Sequence, residues 1–298
     1  MKIGLSRPFG DPGFPTPDID MAIVAQIAEE CGFDWLTYGH HTVRPLDEPV
    51  KPPHFGVPYY QDPLIGAARA LALTETIEIS TGVLIMPMQH PVNVAKQVAT
   101  LDCYSGGGRF ALGLGTGGAS RLEIEVTGGP GRFDRRWAYT MESIQVMKGL
   151  WTEDRFEFKG EFFDIPPVCM APRPATTPHT PIWLGGYTDG LLKRVAEHCE
   201  GWVPAYVGLE LFPFLGIDMS GPEHVQYGRA KLHELADAAG RDVERFDVGV
   251  ILSADSDPDC VRHYEDAGAD RCAYSLPEIT SVDEARRAIE DIAGKLKL

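Results

Sequence analysis

The sequence predicts an α/β fold, a single (β/α)8 TIM barrel over residues 1–298, with loop insertions at the C-terminal face. Three observations carry this. Eight short apolar runs are each followed by a helical pattern, the alternation expected of a closed parallel sheet wrapped in helices. The runs are near-continuously apolar rather than alternating, as strands buried on both faces are. No linker or composition shift divides the 298 residues, and the stretch FKGEFF just beyond Trp151, where a two-domain split would fall, is dense and aromatic.

KIGLS (2–6) is the first strand; Thr16 can cap a helix from about Asp18 to Glu30, with Pro17 at its first position and Asp18 and Asp20 facing the helix dipole. DWLTYG (34–39) follows, then Asp62-Pro63 opens a second helix to about Glu75. The third strand is IEISTGVLI (77–85), and a helix from Pro91 to about Tyr104 carries the face Val94, Val98, Leu101. RFALGLG (109–115) is the fourth strand. After a glycine-rich loop comes a long helix, Arg132 to Trp151, and then FEFKGEFFDI (156–165), which alternates about Lys159-Gly160 as a small hairpin inserted near 154–180. PIWLGG, GWVPAY, FDVGVIL and RCAYSL complete the strands, and Ser281-Val282-Asp283-Glu284 forms a capping box for the last helix.

The formal net charge of -16 disfavours nucleic acid or an anionic membrane as partner. No run of about 18 apolar residues occurs and the start MKIGLSRPFG lacks a signal-peptide core, so a cytoplasmic location is expected. The six scattered cysteines form no CxxC and suggest neither a zinc nor a disulfide framework.

In such barrels chemistry gathers at the C-terminal strand ends. There the chain places Gly39-His40-His41-Thr42, then Gly82-Val83, then GLGTGGASR (113–121), then LGGYTDG (184–190). Side chains alternate along a strand, so at most one of His40 and His41 faces the mouth unless the strand has already ended. Gly185 and Gly186 leave backbone N–H groups uncovered at a helix start, a natural cradle for phosphate. The aromatic, almost uncharged stretches FGVPYY (55–60) and AYVGLELFPFLGIDMSGPEH (205–224) suit an apolar organic substrate or core packing equally.

The block GVLIMPMQHPVNVAKQVATLDCYSGGGRFALGLGTG (82–117) resembles the luciferase-like monooxygenase family of flavin- and F420-dependent oxidoreductases, with GFDWLTYGHHT (32–42), FDRRWAYTMESIQVMKGLWT (133–152), PIWLGGYTDGLLKRVAEHCEGW (181–202) and AAGRD (238–242) in the same order. The resemblance implies a catalytic His41 beside the cofactor, and a non-proline cis peptide at Gly82-Val83 with Val83 against the ring. It also implies phosphate-side contacts from Gly185, Gly186 and Tyr187, and makes Thr116, Gly117 and Arg121 further cofactor candidates. Arg136 and Glu142 match a structural motif. Gly118 stands where the family's sugar-phosphate dehydrogenases carry glutamate, so that activity is not carried over. No metal is expected.

The pattern looks most like the F420-using subgroup, though position 40 is histidine where that subgroup has aspartate. A polyglutamyl tail also meets an unhelpful net charge of -16 unless Arg121 or Lys51 stands near the exit. F420 is therefore favoured only narrowly over FMN. The implied partners are a small, mostly apolar organic substrate, a flavin reductase supplying reduced cofactor, and a second copy in a homodimer. The alternatives are a metal-dependent barrel hydrolase using His40, His41, His54 or His90, and a non-catalytic flavin-binding protein.

Overall fold

The parallel strands of this computed structural model close into a barrel. The structure describes residues 1–6, 19–43, 61–118, 121–206, 219–242, 246–253, 256–277, 279 and 281–298. In chain order the strands are β1 (Lys2–Ser6), β2 (Trp35–Tyr38), β3 (Glu78–Thr81), its short continuation β4 (Leu84–Ile85), β5 (Phe110–Gly115), a hairpin of β6 (Phe156–Lys159) and β7 (Asp164–Val168), then β8 (Ile182–Gly185), β9 (Gly201–Val203), β10 (Asp247–Leu252) and β11 (Arg271–Ser275). The hydrogen-bonded order runs β3-β2-β1-β11-β10-β9-β8-β5, and pairing of β3 with β5 closes the ring. Outside it lie α1 (Met21–Glu30), α2 (Pro63–Leu73), α3 (Pro91–Tyr104), α4 (Arg121–Gly128), α5 (Arg136–Thr152), α6 (Asp189–His198), α7 (Pro222–Ala239), α8 (Cys260–Asp266) and α9 (Val282–Leu296).

Side-chain caps open α1, α2, α6 and α9. Asp62 accepts from the Leu64 and Ile65 N–H groups, both at 3.0 Å, with Pro63 at the first helical position. Ser281 accepts from Glu284 N–H at 3.2 Å. The α1 expectation needs correction: Asp20 is the cap, accepting from Ala22 N–H at 3.0 Å, so the helix begins at Met21 rather than near Asp18. Thr16, Pro17 and Asp18 lie outside the described residues.

Three further differences matter for the site. The third strand is not continuous over 77–85, because it breaks at a cis Gly82–Val83 peptide and resumes as β4. The long helix starts at Arg136, since 130–135 forms turns, and the region before it holds the unforeseen α4. In the hairpin, Glu142 of α5 accepts from the N–H groups of Glu161, Phe162 and Phe163, each at 2.9 Å, which makes that carboxylate a fastener of the turn.

Inside the barrel Trp35 and Trp183 meet edge to face at 6.2 Å and are almost fully buried. Each lies over a neighbour's glycine: a Cβ on Gly4 would come within 2.1 Å of Trp35, and one on Gly201 within 2.2 Å of Trp183. Beneath them Arg271, only 6% exposed, sits 5.2 and 4.7 Å from the two indole rings and is ion-paired with Asp247 and, at 2.8 Å, with Glu78. A cavity of about 480 Å³ opens at this N-terminal end, lined by Lys2, Glu78, Asp247 and Arg271 with both tryptophans. It is the floor, at the opposite end from the strand termini where barrels of this class do chemistry.

Arg271→Met should cost about 3 kcal/mol in urea unfolding, because it leaves two carboxylates facing the floor without their shared cation. Adding Asp247→Asn and Glu78→Gln should recover part of that loss.

Candidate active site

The cis Gly82–Val83 peptide turns the chain at the mouth of the barrel. A Cβ on residue 82 would lie 2.3 Å from Thr37 Oγ1, so only glycine fits against β2 there. Val83 projects over the ends of β5 and β8 and is half-exposed. A Cβ on Gly115 would approach Val83 Cγ2 to 2.3 Å, and one on Gly185 would approach Cγ1 to 2.8 Å. Val83, Gly115 and Gly185 therefore make one low platform of a single branched side chain set among bare backbone.

On one flank Gly186 has φ +145, and its carbonyl accepts from Trp202 Nε1 at 2.8 Å. The Tyr187 hydroxyl donates to the Ala205 carbonyl, and burial pushes that phenol up to about 12. His224 Nε2 donates to the Tyr187 carbonyl at 3.1 Å, while Tyr206 donates its hydroxyl to His224 Nδ1 at 2.9 Å. The Gly185-Gly186-Tyr187 turn is thus braced from β9 and α7. The first turn of α6 already carries an acid, Asp189, which accepts from the Tyr227 hydroxyl at 2.9 Å.

On the other flank Thr116 is half-exposed, and Gly117 (φ +65) passes between β4 and α4, where a Cβ would meet Ile85 at 2.8 Å and Ile124 at 2.9 Å. Arg121, half exposed at the head of α4, donates to Glu125 at 2.9 Å and Asp134 at 3.0 Å and lies 4.6 Å from the centre of the Phe133 ring. Its charge is already matched by two carboxylates. Lys51, the other cation considered for the exit, lies outside the described residues.

β2 ends at Tyr38, so strand alternation no longer applies to the two histidines, and both reach the mouth region by different routes. His40 is buried; Ile85 N–H donates to its Nδ1 at 3.1 Å and its Nε2 meets Thr42 Oγ1 at 3.3 Å. Burial lowers its pKa to about 4, more than the nearby Asp62 and Glu123 charges raise it. His41 is partly exposed, and its Nδ1 lies 2.8 Å from Glu123 Oε2. Glu123 Oε1 accepts from Thr42 N–H at 2.6 Å. Burial alone would raise the Glu123 carboxyl, but the bond and charge of His41 and the Thr42 and Val43 N–H groups hold it below the ordinary carboxylate range.

Glu123 is the residue that sequence reasoning missed. It sits on a helix that was not foreseen, and only its burial and its bond to His41 give it away. Among the described residues no group of three or more His, Cys, Asp or Glu side chains comes together to hold a metal, so the hydrolase alternative finds no support there. His54 lies outside the described residues. Among those residues, too, no helix is long and apolar enough to cross a membrane.

A closed parallel barrel with a glycine-lined mouth and a carboxylate-backed histidine defines the protein as a (β/α)8 barrel with a candidate site at its strand ends. Residues 1–267 match the luciferase-like monooxygenase family, and the chain belongs to it. An uncharacterized protein of Mycobacterium tuberculosis is 31% identical over 254 residues, 82% of this chain and 81% of that one. A monooxygenase from Streptomyces bottropensis superposes with a TM-score of 0.77 at 20% identity, over 100% of this chain and 99% of that one. An F420-dependent secondary alcohol dehydrogenase, in complex with an F420-acetone adduct, superposes with a TM-score of 0.73 at 17% identity, over 99% of each chain. As a family member the protein is a flavin-type oxidoreductase acting on small organic molecules.

Two outcomes follow from this geometry. Gly115→Ala should destabilise the protein by about 1 to 3 kcal/mol through overpacking against Val83. Val83→Ala should relieve most of that cost, so a double-mutant cycle in denaturant should show a clear coupling. His40 refuses until about pH 4 a proton that the unfolded chain accepts near 6.5. Stability should therefore fall as pH drops through that window, by up to about 1.4 kcal/mol per pH unit from this group. His40→Asn, whose side-chain oxygen can still accept from Ile85 N–H, should show a flatter profile in pH-dependent unfolding.

Proposed function

We propose that the protein transfers hydride between F420 and a small, mostly apolar organic substrate, with His41 carrying the accompanying proton. The observation that carries this reading is the His41–Glu123 pair, held at the same barrel end as the Val83 platform. The fit to a planar cofactor rests on space: side chains at 82, 115 or 185 would collide with Thr37 or Val83, so backbone and one valine are what a ring would meet. Val83 would support the ring, and the braced Gly185-Gly186-Tyr187 turn would take the phosphate side. Thr116 and Gly117 would border it.

Bound there, F420 supplies hydride chemistry at a ring carbon and does not activate oxygen. The rest falls to the chain. Interconverting an alcohol and a carbonyl requires one proton at oxygen for each hydride at carbon, and His41 is the residue placed to give or take it. Val43 and Leu122, each about 40% exposed beside His41 and Glu123, offer an apolar flank to the substrate. The likeness to an F420-dependent secondary alcohol dehydrogenase supports the same direction.

A second reading, FMN-dependent monooxygenation with a reductase supplying the reduced cofactor, is favoured by one observation. Arg121 is spent on Glu125 and Asp134, which leaves it poorly placed to receive a polyanionic tail against a net charge of -16.

Titration of the protein with F420 and with FMN, in both redox states, separates the two by ligand fluorescence. We expect F420 to bind more tightly; micromolar FMN binding with none for F420 overturns the proposal. His41→Ala should lower kcat by about 10²- to 10⁴-fold while leaving cofactor affinity nearly unchanged. Unchanged turnover would reduce His41 to scaffolding.

A further inference from the structure

We propose that Glu123 is the positioning residue of this site: it holds neutral His41 as the Nδ1–H tautomer and so makes Nε2 the atom that gains and loses the proton. This rests on the reading of His41 as the proton carrier, and the test below keeps the two apart.

An ionised carboxylate only accepts hydrogen bonds. Glu123 Oε1 is engaged by Thr42 N–H at 2.6 Å and Oε2 lies 2.8 Å from His41 Nδ1, so the ring nitrogen facing it must bring the hydrogen. A neutral imidazole has one N–H; with that at Nδ1, the lone pair stands at Nε2. The opposite tautomer would set the Nδ1 lone pair against a carboxylate oxygen at hydrogen-bond distance, in a place where the Glu123 side chain is only 3% exposed and little water is present to soften the repulsion. Whether Nε2 takes a proton or returns it, the Nδ1–H bond to Glu123 survives. The ring therefore keeps one orientation in both protonation states.

The same carboxylate fixes where the imidazole stands. By accepting from the Thr42 and Val43 N–H groups it fastens the backbone immediately after His41 to α4. His40, hydrogen-bonded to Ile85 N–H, fastens the backbone immediately before it to β4. His41 is held between two anchors, and Glu123 touches both its backbone surroundings and its ring.

The test reads the tautomer directly in the full-length protein without cofactor or substrate. Long-range ¹H–¹⁵N NMR at neutral pH, with the His41 signal identified by its loss in His41→Gln, should show Nδ1 protonated and Nε2 bare. In Glu123→Gln the amide oxygen can still accept from Thr42 N–H, which turns the amide NH₂ toward Nδ1, so the tautomer should switch to Nε2–H. Turnover of the same variant should fall by about 10²- to 10⁴-fold in kcat with little change in KM, as expected when the proton stands on the wrong nitrogen. A wild-type spectrum with Nε2–H overturns the proposal by itself, whatever the variant does, as does a Glu123→Gln protein that folds and keeps Nδ1–H. An Nδ1–H wild type whose His41→Ala variant retains full turnover instead overturns the proton-carrier reading and leaves the tautomer assignment standing.

Discussion

The barrel closes because its large inward side chains find bare backbone on a neighbouring strand. Trp35 lies across Gly4, a Cβ on Gly249 would meet its far edge at 3.6 Å, and Trp183 lies across Gly201. At the mouth Val83 takes the space left by Gly115 and Gly185. A closed eight-stranded sheet has a fixed interior, so each bulky residue demands a small one nearby. This constraint joins fold and site. The glycines that let two tryptophans fill the middle obey the same rule as those that leave a low platform above them.

The two ends of the barrel then differ in how they treat charge. At the floor Arg271 is satisfied in place by Asp247 and Glu78 and covered by two indoles, so its charge is spent on holding the strands together. At the mouth Glu123 is paired with His41, which keeps a fifth of its side-chain surface open. Internal pairing with a permanently charged arginine suits structure.

Much of the architecture was legible because local chemistry and global fold agree. Asp62-Pro63 and Ser281 through Glu284 read as helix starts and are helix starts, and the apolar runs are parallel strands. The break at Gly82-Val83 was legible from family resemblance. Helix α4 was not, for a physical reason. Its sequence RLEIEVTG reverses the usual amphipathic pattern: Glu123 is buried beside Ile124, while Leu122 and Val126 are 41% and 62% exposed. A helix that buries an acid and exposes leucine and valine carries no apolar stripe to read. The α1 start was misread because Thr16 and Asp20 both offer capping oxygens before the same apolar run. The packing of Gly185 was not legible: a glycine before a helix suggests room for phosphate, whereas its contact shows that it makes room for Val83.

The paired histidines show why neighbouring, identical residues can hold opposite roles. Nothing in His40-His41 distinguishes the two rings by composition. The distinction comes from what each Nδ1 meets: a backbone N–H for His40, which requires a lone pair there, and a carboxylate for His41, which requires a hydrogen. Burial holds His40 neutral well below physiological pH, so its ring serves as a fixed acceptor joining β2 to β4 just past the platform. His41 instead faces a carboxylate and is partly open. What separates the two rings therefore lies in α4 and β4, the two elements on either side of the loop, rather than in the histidines themselves.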